Sequence, residues 1–198
     1  CVHVPLPERD AYGRAFDALA QLLRTEGDQL AAVVVEPMVQ GAAGMRMYPA
    51  EYLRELRALT RKHQVLLVVD EVFTGYGRTG PMWASDLAGV VPDLLCLAKG
   101  FSGGMFPMAA TLATGAIFDA FLGDPARAFY YGHSYCGNPL GAAVAREVLA
   151  IYRDEDILAN AQRKARRITA AFDALAEIPG VTLPRSIGMT GAVDLAAG

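Results

Sequence analysis

The sequence has little net charge, few cysteines and no long apolar run. Its formal charge is −3, which leaves no electrostatic footprint for nucleic acid or for an anionic membrane. No apolar stretch approaches the roughly 18 residues that a membrane-spanning helix requires. The cysteines, Cys1, Cys96 and Cys136, show no C-x-x-C or paired metal-ligand spacing, which argues against a disulfide framework or a metal site and favours a reducing cytosol. The expected ligand is therefore a small neutral or zwitterionic molecule.

The composition that remains is that of a folded protein. Hydrophobic residues make up 53% of the 198 positions and charged residues 20%, as in globular domains with a substantial core. The chain starts with Cys1 rather than methionine, and Gly198 follows a strand-like run. We therefore expect one domain, or most of a larger one, with both ends interrupted.

Helical and strand patterns alternate along the chain. Apolar spacings of three and four predict helices, and short apolar runs predict strands. The predicted helices span residues 12–27, 49–62, 140–151 and 157–175, and the predicted strands span 31–35, 65–69, 94–97 and 108–114. Strand runs without polar alternation are typical of a parallel sheet covered on both faces. The link of roughly ten residues before the last strand is too short for a crossover helix, so that strand is predicted to be antiparallel.

These patterns predict an α/β domain with a mixed, mostly parallel sheet and helices on both faces. Pro179 and Gly180 end the last predicted helix. Residues 181–196 have strand character and are typical of the start of a smaller α+β unit. We therefore expect residues 1–178 to belong to the large domain and residues 179–198 to begin a second one.

Three ionisable residues follow predicted strands closely. Glu36, Asp70 and Lys99 each lie within two residues of a strand end, and ligands of open α/β sheets bind beyond the carboxyl ends of the strands. Each residue alone is more simply read as a solvated surface group. Together, and with glycine-rich segments beside them, they favour a ligand site at this edge of the sheet.

Lys99 is the residue with the clearest chemistry. It stands in the apolar and glycine-rich segment LAKGFSGG, residues 97–104. A desolvated lysine amine is nucleophilic and forms a Schiff base with a carbonyl. Pyridoxal phosphate also requires a carboxylate that keeps its ring nitrogen protonated, and Asp70 is the candidate. The loop DEVFTGYGRTG, residues 70–80, lacks the glycine spacing of nucleotide-binding loops.

Four separated blocks then carry a family resemblance. They are VVEPMVQGAAGMRMYP, VVDEVFTGYGRTGPMWA, PDLLCLAKGFSGG and YGHSYCGNPLGAAVA, which begin at Val34, Val68, Pro92 and Tyr131. In this order they resemble the class III pyridoxal-phosphate-dependent aminotransferases, a family of the fold-type I transferase fold. GAAGMRMYP and GHSYCGNPLG are most similar to the biotin-synthesis subfamily, whose members aminate 8-amino-7-oxononanoate with adenosylmethionine or lysine as amino donor.

The resemblance implies roles for residues around the cofactor. Lys99 would bind pyridoxal 5'-phosphate covalently and act as general acid and base, while Asp70 would pair with the pyridine nitrogen. Val72 would pack against the ring face. Glu36 would orient groups behind the cofactor.

The resemblance also implies substrate contacts and a partner subunit. Gly132 matches a position whose backbone meets the keto-acid substrate, and Arg78 would lie near the substrate carboxylate. His133 and Ser134 match a pair that contacts the cofactor phosphate of the other subunit, which implies a homodimer. For His133, a loop histidine that caps or packs is an equally good interpretation.

Two departures from the family leave alternatives open. Many members have glutamine where this chain has Phe73, and phenylalanine cannot make the corresponding hydrogen bond to the cofactor. The HSY wording at residues 133–135 is shared with relatives that take their amino group from lysine, so the donor stays open.

Two rival interpretations also stand. One is another class III reaction on ω-amino acids or diamines, or an aminomutase or decarboxylase reaction. The other is a non-catalytic fragment, because the family's phosphate loop, stacking aromatic residue and carboxylate-binding arginine are expected outside these residues.

Overall fold

A computed structural model describes residues 1–7 and 12–196. Within them, the chain alternates helices and short strands. The helices are α1 Gly13–Glu26, α2 Ala50–Lys62, α3 Gly115–Asp119, α4 Pro139–Asp154 and α5 Ile157–Ala174. The strands are β1 Ala32–Val35, β2 Val39–Gln40, β3 Arg46–Met47, β4 Leu66–Asp70, β5 Leu94–Leu97, β6 Ala110–Ala113, β7 Val181–Ile187 and β8 Thr190–Leu195. No described helix is both long and apolar enough to cross a membrane.

The central sheet has the strand order β1–β4–β5–β6. The first three strands are parallel, and β6 pairs antiparallel with β5. This confirms the predicted mixed α/β sheet, including the direction of its last strand. Asp70 lies opposite Cys96 in the register of β4 and β5, so the carboxyl ends of these strands meet at one edge of the sheet.

One face of the sheet is covered by α1 and α2. Leu19 and Leu23 on α1 and Leu53 on α2 are almost wholly buried together with Leu67 and Val69 of β4. The helical spacing of three and four residues turns these leucines to one side of each helix. Burial of each such side chain stabilises the fold by about 1.5–3 kcal/mol.

The opposite face is open at two apolar positions. Val34 of β1 is 67% exposed and Leu66 of β4 is 37% exposed, whereas the adjacent Leu67 is fully buried. The described helices therefore leave part of this face uncovered, although the strand runs predict cover on both faces. Apolar residues at 34 and 66 fit a sheet whose second layer is supplied by further protein.

Helix α4 packs through two of its small residues. Gly141 is buried, and a Cβ at this position would collide with Met108. Ala145 is also buried, but Ala142 and Ala143 are exposed. The two buried positions are one helical turn apart, so they lie on the same face of the helix.

Two antiparallel hairpins complete the described chain. The β2–β3 hairpin was not predicted, because two-residue strands carry no readable period. The β7–β8 hairpin confirms the strand character predicted for residues 181–196. It packs on α5, where Gly191 lies against the Phe172 ring, and Ile187 packs against the main core. The domain boundary at residue 178 stays a prediction.

A buried ion pair ties α2 to the central sheet. Arg57 donates from Nη1 and Nη2 to the two carboxylate oxygens of Asp93 at 2.6 and 2.8 Å, and the Leu67 amide donates to the same carboxylate at 2.7 Å. The side chains are only 12% and 18% exposed. The hydrogen bond from Arg57 is the main cause that lowers the pKa of Asp93 below its usual value, against the opposing effect of burial.

We expect Asp93→Asn to destabilise the fold by roughly 3 kcal/mol at neutral pH, because it leaves the Arg57 charge unpaired in a poorly solvated place. Since the folded state lowers the pKa of Asp93, its contribution is complete above the unfolded pKa of about 4 and is lost as the pH falls through the folded value. Chemical denaturation from pH 7 to pH 3 measures this. The difference in unfolding free energy between wild type and Asp93→Asn should shrink in acid. A difference that stays constant would contradict the proposed contribution of the Asp93 carboxylate.

Candidate active site

Lys99 lies on a tight turn at the end of β5. It begins a short 3-10 turn, Lys99–Ser102, and has a φ of +48°, a left-handed conformation that is uncommon for a residue with a side chain. The next residue, Gly100, is pressed against Tyr76, since a Cβ there would lie 2.7 Å from Tyr76 Cβ and Cγ. The backbone of the turn is therefore set by contact with the loop that follows β4.

Tyr76 is itself held firmly on its other sides. It also has a left-handed backbone, with a φ of +58°, and its ring makes edge contacts with Trp83 and Tyr152 at centroid distances of 5.2 and 5.8 Å. The Tyr152 hydroxyl donates to the Tyr76 carbonyl at 2.8 Å. Burial raises the pKa of Tyr76 to about 12, so the phenol stays neutral at physiological pH. Tyr76 thus provides a fixed apolar surface against which the Lys99 turn packs.

Asp70 lies at the same edge, at the end of β4. Its Oδ1 accepts a hydrogen bond from the Val72 amide at 2.9 Å, and the Glu71 amide donates to the Cys96 carbonyl at 3.0 Å. The side chain is half-buried. Within the described residues its second carboxylate oxygen has no donor, so a charged acceptor is presented at the strand ends.

Phe73 brings Lys99 and Arg78 together. Lys99 Nζ is 5.6 Å and Arg78 Cζ is 5.7 Å from the centroid of this ring, within the range of a cation–π attraction. Gly41 also abuts the ring, because a Cβ there would be 3.3 Å from Phe73 Cδ1, and the Gly41 amide donates to Glu36 Oε2 at 3.0 Å. Sequence reasoning treated Phe73 only as a missing hydrogen bond and overlooked that both cations lie close to its ring.

The exposure of the two cations corrects one step of the sequence reasoning. Lys99 and Arg78 are both exposed in the described chain. The desolvated lysine expected from the apolar and glycine-rich segment is therefore wrong for this chain by itself, because glycine leaves the side chain uncovered. Water can be excluded from Lys99 only by a ligand or by further protein.

Among the described residues, no hydrogen bond or ring contact joins Gly132, His133 or Ser134 to Lys99. All three residues are exposed, and the contacts of His133 are local. Its Nδ1 accepts from the Tyr135 amide at 3.1 Å, and its carbonyl accepts from the Cys136 amide at 2.9 Å. The structure thus brings Glu36, Asp70, Lys99 and Arg78 to one edge of the sheet, whereas the hydrogen bonds of His133 stay within its own loop.

Glu71 is a functional candidate that the sequence reasoning missed. It is fully buried, and its carboxylate accepts four hydrogen bonds. Oε2 accepts from Thr74 Oγ1 at 2.7 Å and from the Ala84 amide at 3.0 Å, while Oε1 accepts from the Ser85 amide and Ser85 Oγ, both at 2.9 Å. Side chains alternate along a strand, so the buried Leu67 and Val69 were the available signal that Glu71 faces inward.

The comparisons with known proteins agree with this fold. The family model Aminotransferase class-III matches residues 2–197, and the chain belongs to that family. Class III aminotransferases are pyridoxal-phosphate-dependent enzymes.

Three similar proteins indicate the range of this family. The chain is 45% identical to the adenosylmethionine-8-amino-7-oxononanoate aminotransferase of Nitratidesulfovibrio vulgaris, covering 89% of the chain and 33% of that protein. It is 37% identical to an omega-aminotransferase of Caulobacter vibrioides, covering 86% and 39%. The crystal structure of adenosylmethionine-8-amino-7-oxononanoate aminotransferase from Methanocaldococcus jannaschii superposes with a TM-score of 0.85 at 32% identity, covering 91% and 43%. The chain thus spans well under half the length of these relatives.

We expect Glu71→Gln to destabilise the protein by about 3 kcal/mol. A backbone N–H points at each carboxylate oxygen, so either orientation of the glutamine amide places its NH₂ group against a donor. The exposed Glu147→Gln on α4 is the matched control, with an expected change within about 0.5 kcal/mol. Urea denaturation of both variants measures the difference, and equal midpoints would rule out the proposed importance of these four hydrogen bonds.

Proposed function

We propose that this chain is part of a pyridoxal-phosphate-dependent aminotransferase that converts 8-amino-7-oxononanoate to 7,8-diaminononanoate in biotin synthesis, in the cytoplasm. The observation that carries the proposal is the placement of Lys99 and Asp70 at the ends of neighbouring parallel strands in a chain of the class III family. The names of two of the similar proteins support the biotin-pathway substrate.

The residues present fit two groups of the cofactor, its ring nitrogen and its aldehyde. Asp70 presents a carboxylate oxygen without a donor among the described residues, suited to a protonated ring nitrogen. Lys99 presents an exposed amine at the same edge, suited to an aldehyde. Val72 lies two residues after Asp70 and would pack on the ring. The cofactor phosphate also requires hydrogen-bond donors, for which His133 and Ser134 of a second subunit are our candidates.

When bound, pyridoxal phosphate supplies an electron sink that stabilises negative charge on the substrate carbon. Asp70 would hold the ring nitrogen in its protonated form, because a carboxylate beside that nitrogen favours the charged state. Lys99 Nζ would bind the aldehyde and would serve as general acid and base beside the substrate carbon. Phe73 limits where Nζ can lie, since the amine is already within 5.6 Å of its ring centroid.

Arg78 and Gly132 are our candidates for substrate contact. The exposed Arg78 guanidinium shares the Phe73 ring with Lys99, which puts a fixed positive charge near the reacting amine and suits a carboxylate substrate. The Gly132 backbone would meet the keto acid from the exposed loop. Both adenosylmethionine and lysine fit as amino donors.

An exposed aromatic cluster supports a homodimer. Phe121 and Phe129 lie 5.6 Å apart and Phe129 and Tyr131 5.8 Å apart by ring centroids, and Phe129 and Tyr131 are 68% and 79% exposed. Apolar groups gathered on a surface in this way mark a contact with another protein. A second copy of this chain suits it, because the adjacent loop holds Gly132, His133 and Ser134.

We expect Lys99→Ala in the full-length protein to remove the visible absorbance of lysine-bound cofactor and to lower turnover by at least about 10³-fold. The exposed Lys164→Ala on α5 is the matched control and should keep both. Retention of absorbance or turnover in Lys99→Ala would refute the assignment.

Half-reactions of the wild-type protein with adenosylmethionine, lysine and 4-aminobutyrate separate the biotin-pathway function from an ω-aminotransferase function. The donor that the enzyme uses changes the cofactor spectrum. A response to 4-aminobutyrate alone would favour the second function, for which the similarity to the Caulobacter omega-aminotransferase is the supporting observation.

We expect Phe129→Asp to raise the dissociation constant of the full-length dimer at least about 30-fold, since a central apolar anchor contributes about 2 kcal/mol. Val91→Asp, at a position 69% exposed outside the aromatic cluster, is the control and should leave the dimer intact. Light scattering over a dilution series measures both. A Phe129→Asp protein that stays dimeric would exclude this surface as the interface.

A further inference from the structure

The turn of the β7–β8 hairpin presses on the backbone of Arg78. The Met189 amide donates to the Arg78 carbonyl at 2.8 Å. Gly188 has a φ of +57°, and a Cβ there would lie 2.5 Å from the Arg78 carbonyl oxygen and 2.7 Å from Thr79 Cα. Only glycine allows this close approach. The loop that carries Arg78 is therefore held by a turn more than 100 residues further along the chain.

Arg185 forms a second attachment from the same hairpin. Its Nε donates to the Met45 carbonyl at 3.0 Å, and its Nη2 donates to the Gly44 carbonyl and to Asp194 Oδ1, both at 2.8 Å. Its Nη1 donates to the Leu183 carbonyl at 2.8 Å. All three nitrogens are used, and the side chain is only 15% exposed. Lysine cannot reproduce this planar arrangement of donors.

Local backbone irregularities on both sides make this attachment possible. The register of β7 and β8 shifts between Thr182 and Arg185, where Leu183 has a φ of +48°, and such bulges redirect side chains. On the other side, Gly44 and Met45 have φ values of +87° and +54°. Consecutive left-handed residues here present two carbonyl groups to one guanidinium.

Each of the two attachments is linked to a residue that contacts Phe73. The Met45 amide donates to the Gly41 carbonyl at 3.1 Å, and Gly41 abuts the Phe73 ring. Arg78 lies 5.7 Å from the centroid of that ring. The hairpin therefore supports both neighbours of the ring beside which Lys99 Nζ lies.

We propose that Arg185 is a positioning residue for the active site: together with the Gly188–Met189 turn, it fixes Arg78 and Phe73 and thereby sets the affinity for the carboxylate-bearing keto substrate. The substrate part of this inference rests on the proposed function. The Arg78 side chain is exposed. Its guanidinium is therefore restricted mainly by the nearby Phe73 ring and by the Met189 hydrogen bond that holds the Arg78 backbone. Loosening the hairpin shifts Arg78 and weakens substrate binding, while Asp70 and the Lys99 turn keep their own supports in Cys96 and Tyr76.

The test compares Arg185→Lys and Gly188→Ala with Arg163→Lys in the full-length holoenzyme. Arg163 is exposed on α5 and serves as the control. We expect both hairpin variants to raise KM for the keto substrate roughly tenfold and to change kcat less than about threefold, with the cofactor absorbance and its pH dependence unaltered. Arg185→Lys and Gly188→Ala alter different attachments of the hairpin. If both variants show the same change in KM, that change does not result from local damage caused by one substitution.

Amide hydrogen exchange provides a readout independent of activity. We expect the Met189 amide to exchange at least about tenfold faster in Arg185→Lys than in Arg163→Lys, since its bond to Arg78 opens more often. Equal exchange and equal KM in these two variants would overturn the proposal. So would a loss of kcat and of cofactor absorbance at unchanged KM, which indicates general structural damage. If the wild-type protein binds no pyridoxal phosphate, the proposed function fails, while the exchange measurement still decides whether Arg185 holds the Arg78 loop.

Discussion

The arrangement of this site depends on one buried carboxylate. Glu71 directly follows Asp70 and satisfies four donors from Thr74, Ala84 and Ser85. It therefore closes the segment between residues 71 and 85 into a fixed loop, and that loop carries Phe73, Tyr76 and Arg78. A buried charge persists only where its hydrogen bonds are complete. Both carboxylate oxygens of Glu71 are thus bound by the protein, whereas Asp70 beside it keeps one oxygen without a donor among the described residues.

The fold was largely predictable because its strong signals are local. The strand Leu94–Leu97 was predicted with the bounds that the structure has, and Asp70 and Lys99 were identified from their positions after strands. Parallel strands bring their carboxyl ends together whatever the loops do, so no tertiary detail was needed to infer that these residues meet.

The remaining features depend on contacts that no local pattern encodes. The β2–β3 hairpin was missed because each strand has two residues. The proximity of Phe73 to both Lys99 and Arg78 results from the packing of two loops that are separate in sequence. The exposure of Lys99 was misjudged because glycine-rich surroundings resemble buried ones in a sequence, although glycine covers nothing. Gly132, His133 and Ser134 remain predictions, because the proposed contact of Gly132 is with a substrate and those of His133 and Ser134 are with another subunit.

The bulge in β7 has a consequence for the tolerance of the protein to changes in chain length. The bulge places one extra residue in β7 before Arg185. Deleting Leu183 would remove that residue and with it the carbonyl that accepts from Arg185 Nη1, while Arg185 would stay paired with Ala192. Every residue near Lys99 would remain in place, yet the Arg185 guanidinium would be held less firmly against the carbonyls of Gly44 and Met45. Relatives that keep Arg185 but differ in length at this point would therefore differ in how firmly the loop with Arg78 is held.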